Sequence, residues 1–388
     1  MPDMPHLWMR HESRASERRA PLVPEDAARL VAQGATITVE ESPQRAFPLT
    51  DYTAAGCRTA PAGSWADAPD DVFVVGLKEL PDEPKELRHR HVFFGHAYKG
   101  QTGARELLDR FTSGGGRLLD LEYLTDGAGR RLAAFGYWAG YVGAALAVLH
   151  RRGTLTAPLT PLDKARLDAL LAAGSGGSPG DSPGDSPGGG TRAADALVIG
   201  ALGRSGRGAC DALEVAGVDT ARWDVAETRE LDRAALIDHD ILVNTVLVTR
   251  PVPPFLRTED LDDPRCRISV VADVTCDVTS ECNVLPVYDE ITDWERPARA
   301  LRGGERPVDV IAIDNLPSLL PVEASRAFSA ELAPHLGRLG TGDPVWERCL
   351  GSFEAAVRDD GGAREAEPSP HRPGDRAAAP STTEETRP

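Results

Sequence analysis

The sequence predicts an α/β chain of two doubly wound parallel-sheet domains with a cleft between them. Three observations carry that prediction. Short β-type apolar runs alternate with amphipathic helical ones through the first third of the chain, and the same alternation restarts after a Ser-Pro-Gly repeat. The length of 388 residues also exceeds what one ordinary core encloses.

Taken in order, the first apolar run is LWM at 7–9, followed by PEDAARLVAQG at 24–34. Pro24 suits the first turn of a helix and Gly34 the residue after its end, so a helix is expected over 25–33. The runs ITVE, VFVVGL, HVFFGH and RLLDLEYL read as strands, with QTGARELLDRFTSGG as the helix before the last of them. From Leu132, LAAFGYWAGYVGAALAVLHRRG reads as one long apolar helix, too interrupted by glycine for a membrane span and expected to lie buried between the two domains. The repeat at 172–191 has no apolar face to bury and is expected to be a flexible insertion. Beyond it, DALVIG, ARWDV, DILVNTV, RISVVADV and VDVIAIDNL again read as strands between helices. Two amphipathic stretches at 321–339 and 343–357 are expected to close back onto the first domain, and 359–388 to be disordered.

Composition narrows the function. Hydrophobic residues make up 41%, enough for a sizeable core, and 60 acidic against 43 basic residues leave a net charge of −17. That balance argues against general affinity for nucleic acid or an anionic membrane, while leaving room for a local basic pocket. The N-terminus lacks the order of a signal peptide, so a cytoplasmic location is expected. The six cysteines are scattered without a CxxC pair, and no histidine follows Cys266, Cys276 and Cys282 at ligand spacing, so reduced thiols and no metal are expected.

The most specific local signal is ALVIGALGRSGRG at 196–208, a buried strand running into Gly200, Gly203 and Gly206 with a helix following at once. Glycines there let backbone N–H groups approach a pyrophosphate, and the helix N-terminus favours its charge. The spacing differs from the commoner Gly-x-Gly-x-x-Gly. Asp224, about twenty residues on at a strand end, stands where an acid would bind both ribose hydroxyls and repel a 2′-phosphate. A Rossmann-like domain preferring NAD to NADP is therefore expected, with Arg204 poised to touch a phosphate or the adenine.

Groups that bind substrate and move protons should come from the other domain. Open α/β sheets present ligands at strand ends, and there stand Lys78 and Glu79, His96 with Lys99, and Glu122. A lysine beside a glutamate is in isolation more commonly a solvated ion pair. His89, His91, His150 and His239 carry no special signal. Arg130 and Arg131, before the long helix, suit a carboxylate clamp but also read as surface charges. Glu17 and Arg19 lie at the same sheet edge.

Together the blocks ERRAPLVP, ESPQRAF, PAGSW, GLKELP, HAYKGQ, DLEYL, GRRLAAFGYWAGYVGAA, IGALGRSGRGA and IDNLPSLLP resemble the saccharopine dehydrogenases of the NAD-dependent, L-lysine-forming type, and more distantly alanine dehydrogenase and the transhydrogenase N-terminal region. The resemblance runs from about 7 to about 357 and is weakest over about 231–264. It implies that saccharopine, NAD and water give lysine, 2-oxoglutarate and NADH reversibly through an imine. It also implies Lys78 as the amine base, His96 as the second acid/base group, and Glu79 and Glu122 as their electrostatic tuners. Substrate contacts carried over are Arg19, Gln101, Arg131, Phe135, Thr275, Cys276 and Asp277. Cofactor contacts carried over are Arg130, Gly203, Arg204, Asp224, Thr228, Val274, Ile313, Asp314, Asn315 and Leu316. Leu247 stands where fungal relatives have a tyrosine near the adenosine.

The domain division expected is then 1–135 for substrate and catalysis, completed by 321–358, and 136–320 for NAD. Two other readings stay open. One is an alanine dehydrogenase-like or other opine-type amino acid dehydrogenase, against which two arginine clamps suit a larger polycarboxylate. The other is a non-catalytic NAD sensor, which would have lost Lys78 or His96. A monomer acting on small molecules, with no nucleic acid or membrane partner, is expected.

Overall fold

The computed structural model describes residues 4–98, 101, 103–174, 194–248, 250–278 and 280–366, with side chains as far as 358. Lys99, most of the expected flexible insertion and the tail beyond 366 lie outside the described residues.

Six strands, β1 (His6–Met9), β2 (Thr36–Glu40), β3 (Arg58–Ala60), β4 (Phe73–Val75), β5 (Arg90–Phe93) and β6 (Arg117–Asp120), form the first sheet. They run in the order β3-β2-β1-β4-β5-β6, every pair parallel. Parallel strands need crossovers, supplied here by α1 (Pro24–Ala32), α2 (Leu49–Ala54) and α3 (Ala104–Gly114). In α1, Glu25 and Asp26 occupy the first turn, where the helix dipole favours acids, and Gly34 at φ +103° ends the chain's helical run. Neither α2 nor β3 was anticipated: α2 has six residues with only Tyr52 buried, and β3 is a three-residue edge strand with Arg58 and Thr59 exposed, so both are too short and polar to show periodicity.

The second sheet comprises β7 (Asp195–Ile199), β8 (Asp219–Trp223), β9 (Ile241–Asn244), β10 (Val270–Asp273), β11 (Arg299–Arg302) and β12 (Val308–Ile311) in the order β11-β12-β10-β9-β7-β8. Only β11, an edge strand missed in the sequence, is antiparallel. Around it lie α4 (Gly136–Arg151), α5 (Lys164–Ala173), α6 (Arg204–Val215) and the short α7 (Val225–Arg229), α8 (Arg233–Ile237) and α9 (Thr258–Asp262). All five residues of β7 are buried, as a strand covered on both faces requires.

The long apolar helix differs from expectation in two ways. It begins at Gly136, because Leu132 N–H donates to Leu124 O at 2.9 Å and Arg131 bridges Thr125, which commits the chain to an extended hairpin first. It is also sunk in the second sheet's core rather than between the domains, with Gly140 through Leu149 buried. The glycines make that possible: a Cβ on Gly140 would collide with the Ser205 carbonyl, and one on Gly208 with that of Tyr137. Only its first turn borders the cleft. Among the described residues no helix is long and apolar enough to cross a membrane.

The chain crosses back after β12, and α10 (Pro321–Leu336) and α11 (Pro344–Ala366) pack on the first sheet. Phe328, Leu332, Leu336 and Trp346 join Leu7, Met9 and Val39 in one buried cluster. Each such side chain contributes about 1.5–3 kcal/mol by leaving water. Ser325 and Ser329 accept the Ala20 and Val23 N–H groups at 2.9 and 3.0 Å, stitching α10 to the segment before α1.

Candidate active site

Strands β1 and β4 are neighbours whose chains leave toward opposite sides, which opens a crevice at their C-terminal ends. Lys78 stands there. Its Nζ lies 3.5 Å from Asp314 Oδ2, on the segment after β12, and its side chain is 16% exposed. Burial pushes the ammonium below its ordinary range; Asp314 opposes this, while Arg19 and Arg14 reinforce it. Glu79 turns to Arg14, accepting from Nε at 2.9 Å, and Arg14 Nη1 donates to Asp314 at 3.0 Å. Asp314, expected as a cofactor contact, is thus the carboxylate facing the lysine, with Glu79 at one remove.

His96 follows β5 with φ at +49°, a left-handed conformation unusual outside glycine. The buried Asp120 carboxylate holds it there: Oδ2 accepts the His96 N–H at 3.1 Å and Oδ1 the Glu122 N–H at 2.9 Å. Burial raises the Asp120 carboxyl above its usual range, against the Glu122 N–H and the His96 charge. The His96 ring stacks on Phe94 at 6.2 Å, with Nδ1 3.2 Å from Glu122 Oε2. Glu122 Oε1 takes Arg131 Nη2 at 2.9 Å.

A buried polar knot joins the two sheets. Arg19 donates to both Glu17 oxygens, at 2.8 and 2.6 Å, and to Asn315 Oδ1 at 2.7 Å, while its guanidinium lies over Phe135 at 4.0 Å. Ser318 Oγ donates to Glu17 at 3.0 Å. Burial favours protonation of Glu17, but the charge and hydrogen bonds of Arg19 outweigh it and hold the carboxyl below its usual range.

Beside these groups lies a cavity of about 520 Å³. Lys78, His96, Arg19 and Phe135 form one wall, Arg130 and Arg131 flank it, and Arg204, Ser205, Asp314 and Asn315 come from the second-sheet side. Arg130 is exposed and paired with Asp126 at 2.8 Å. Arg204 spans the cleft, reaching Glu331 of α10 at 3.2 Å and the Arg131 carbonyl at 3.3 Å. Gln101, Thr275, Cys276 and Asp277 are not among the lining residues. Thr275 spends its hydroxyl on Asp273 at 2.7 Å, and Cys276, at φ +53°, directs Sγ to the Asp273 carbonyl at 3.2 Å.

The glycine loop suits a dinucleotide. Gly200 has φ +82°, and a Cβ on Gly206 would collide with the Gly200 carbonyl and Ala201 Cα. Gly203 caps α6 without a side chain, and no acid occupies its first turn, so its N-terminal N–H groups stay open to an anion. Asp224, at the end of β8, accepts from Leu202 N–H at 3.0 Å and Val225 N–H at 2.9 Å, fixing it beside the loop. Thr228 Oγ1 donates to the Asp224 carbonyl at 2.9 Å. Val274 packs against Gly143, as does Leu316, and Ile313 is buried.

Sequence reasoning passed over Arg10, Glu12 and Arg14, the first two bonded to the Leu77–Lys78 backbone and the third to Asp314, and over Asp120 and Glu331, bonded to His96 and Arg204. Position after β1 at the crevice was the available signal for the first three.

The family described as "Alanine dehydrogenase/PNT, N-terminal domain" matches residues 8–142. Among solved structures the fold is similar to an L-alanine dehydrogenase, at TM-score 0.59 and 16% identity over 90% of this chain and 93% of that one. It is similar also to the transhydrogenase from Sinorhizobium meliloti, at 0.61 and 16% over 88% and 97%. Much nearer in sequence is "Saccharopine dehydrogenase [NAD(+), L-lysine-forming]" of Schizosaccharomyces pombe, 39% identical over 91% of this chain and 99% of that protein. The protein of the same name from Neurospora crassa is 40% identical over 90% and 96%. With that identity sustained along both sheets, the chain belongs to the NAD-dependent, L-lysine-forming saccharopine dehydrogenase family.

Proposed function

We propose that the cleft oxidises saccharopine with NAD and water to L-lysine, 2-oxoglutarate and NADH, reversibly, with Lys78 as amine base and His96 as the second acid/base group. One observation carries the assignment of roles: a largely buried lysine of depressed basicity and a carboxylate-bound histidine face the same cavity, which Arg204 and Ser205 at the start of α6 also line.

Bound along that loop, NAD supplies the hydride acceptor. The chain's own residues manage charge and protons. Neutral Lys78 takes the proton of the substrate's secondary amine, and its burial makes the neutral form accessible at lower pH than for a free lysine. After the imine forms on the substrate, His96, oriented by Glu122, accepts a proton from the attacking water and returns one to the departing lysine amine. Arg19 and Arg131 bind substrate carboxylates, Arg131 by exchanging Glu122 for the incoming anion. Phe135, stacked on Phe328 at 4.1 Å, is the apolar platform under Arg19.

The same proposal includes a monomer in the cytoplasm. Six free, thinly spread cysteines suit a reducing compartment. Initial rates of NADH formation test the roles: Lys78→Met and His96→Gln should each slow turnover by roughly 10²–10⁴-fold with folding intact. Unchanged rates would remove the acid/base assignment.

A further inference from the structure

Lys78 is held by a buried ion pair that never reaches the cavity. The β4 ladder ends at Val75, and Gly76 N–H still pairs with Val92 O at 3.0 Å. The next two N–H groups have no strand to bond. Glu12, on the chain leaving β1, accepts both: Oε1 takes Leu77 N–H at 2.6 Å and Oε2 takes Lys78 N–H at 3.0 Å. Arg10 grips the next peptide unit, donating from Nη2 to the Lys78 carbonyl. Its Nη1 lies 3.2 Å from Glu12 Oε2, closing the ring.

Arg10 is 1% and Glu12 4% exposed, and neither lines the cavity. A buried pair of this kind adds little net stability, because desolvating two charges offsets most of their attraction. Its value lies in geometry. Two rigid groups define three hydrogen bonds to one dipeptide at the frayed end of the strand, where the sheet itself supplies only one more, from Phe94 N–H to the Leu77 carbonyl at 3.2 Å. Gly76 belongs to the arrangement: a Cβ there would collide with the Arg10 guanidinium.

We propose that Glu12 and Arg10 are positioning residues for Lys78, clamping the Leu77–Lys78 backbone so that Nζ is delivered to the cavity in register with the reacting amine. This rests on Lys78 being the amine base. A displacement of about 1 Å at a reacting group costs on the order of 10²-fold in rate, the loss expected when the clamp is broken.

The test is a double-mutant cycle on the full chain, followed by NADH formation from saccharopine. Glu12→Gln should lower kcat on the order of 10²-fold and leave the KM for saccharopine and NAD near wild type. In a Lys78→Met background the same change should cost no more than about twofold, since the base it positions is already gone. Equal losses in both backgrounds would overturn the clamp and leave Glu12 merely structural. A Lys78→Met enzyme with undiminished kcat would instead overturn the base assignment beneath it. Should Glu12→Gln not fold, Gly76→Ala displaces Arg10 without removing a charge. It should reproduce the kcat loss and the non-additivity, and an undiminished kcat there would equally sink the proposal.

Discussion

Lys78 of the first sheet and Asp314 of the second meet across the cleft, Nζ to Oδ2 at 3.5 Å. The protonation of the proposed base is therefore set by both halves of the molecule. Burial lowers its affinity for a proton and Asp314 partly restores it.

Asp314→Asn removes the restoring charge. The free base must be neutral to accept the amine proton, so kcat/KM for saccharopine oxidation rises with pH through the Lys78 titration. In the variant that limb should move to lower pH, read from a pH–rate profile of the oxidative direction. A limb that stays in place or moves upward contradicts the pairing.

Asp224 is the acid beside the glycine loop. Asp224→Asn loses charge-assisted bonds to the ribose hydroxyls and the repulsion of a 2′-phosphate. The KM for NAD should rise roughly 10- to 100-fold, given about 1.5–3 kcal/mol for a hydrogen bond to a charged group. NADP turnover should gain relative to NAD, measured by comparing kcat/KM for the two.

His91 is fully buried among Trp65 at 5.1 Å and Phe111 at 5.3 Å, and neither ring nitrogen has a hydrogen-bond partner. Burial, then Arg10 and His89, depress its basicity far below the ordinary range. The unfolded chain takes up this proton below about pH 6.5 while the folded chain does not. Stability is thus lost as pH falls, by about 1.4 kcal/mol per pH unit from this group. Melting curves should show His91→Phe losing less stability than wild type between neutral and mildly acid pH; parallel losses would refute this.

Helices α4 and α6 touch through glycine. Gly140→Ala and Gly208→Ala each force a methyl into a backbone carbonyl, so each should lower stability by about 1–3 kcal/mol. Denaturant midpoints check this. Gly303→Ala, with open space at its Cβ, is the control and should be nearly silent.

The sequence made the repeating parallel architecture legible because its central strands are continuous apolar runs, as in DALVI and VFVV. The edge strands β3 and β11 escaped because an exposed edge has no need of that pattern. At the site, Lys78 and His96 were readable as polar residues ending apolar strands. Their supports were not: Glu12 contacts a residue 66 positions away and Asp120 one 24 away. Nothing local distinguishes such a buried carboxylate from a surface one. Glu40 is the same case, its buried carboxylate binding Trp8 Nε1 and the Gly63 and Trp65 N–H groups, which gives the PAGSW block a structural reason.

The most direct test of the central claim is NADH formation by the purified wild-type chain offered saccharopine, and separately L-alanine, at equal concentration with NAD. Rapid NADH formation with saccharopine, and little with alanine, is the result predicted by a cavity lined with Arg19 and Arg131. Turnover of alanine without turnover of saccharopine would contradict it.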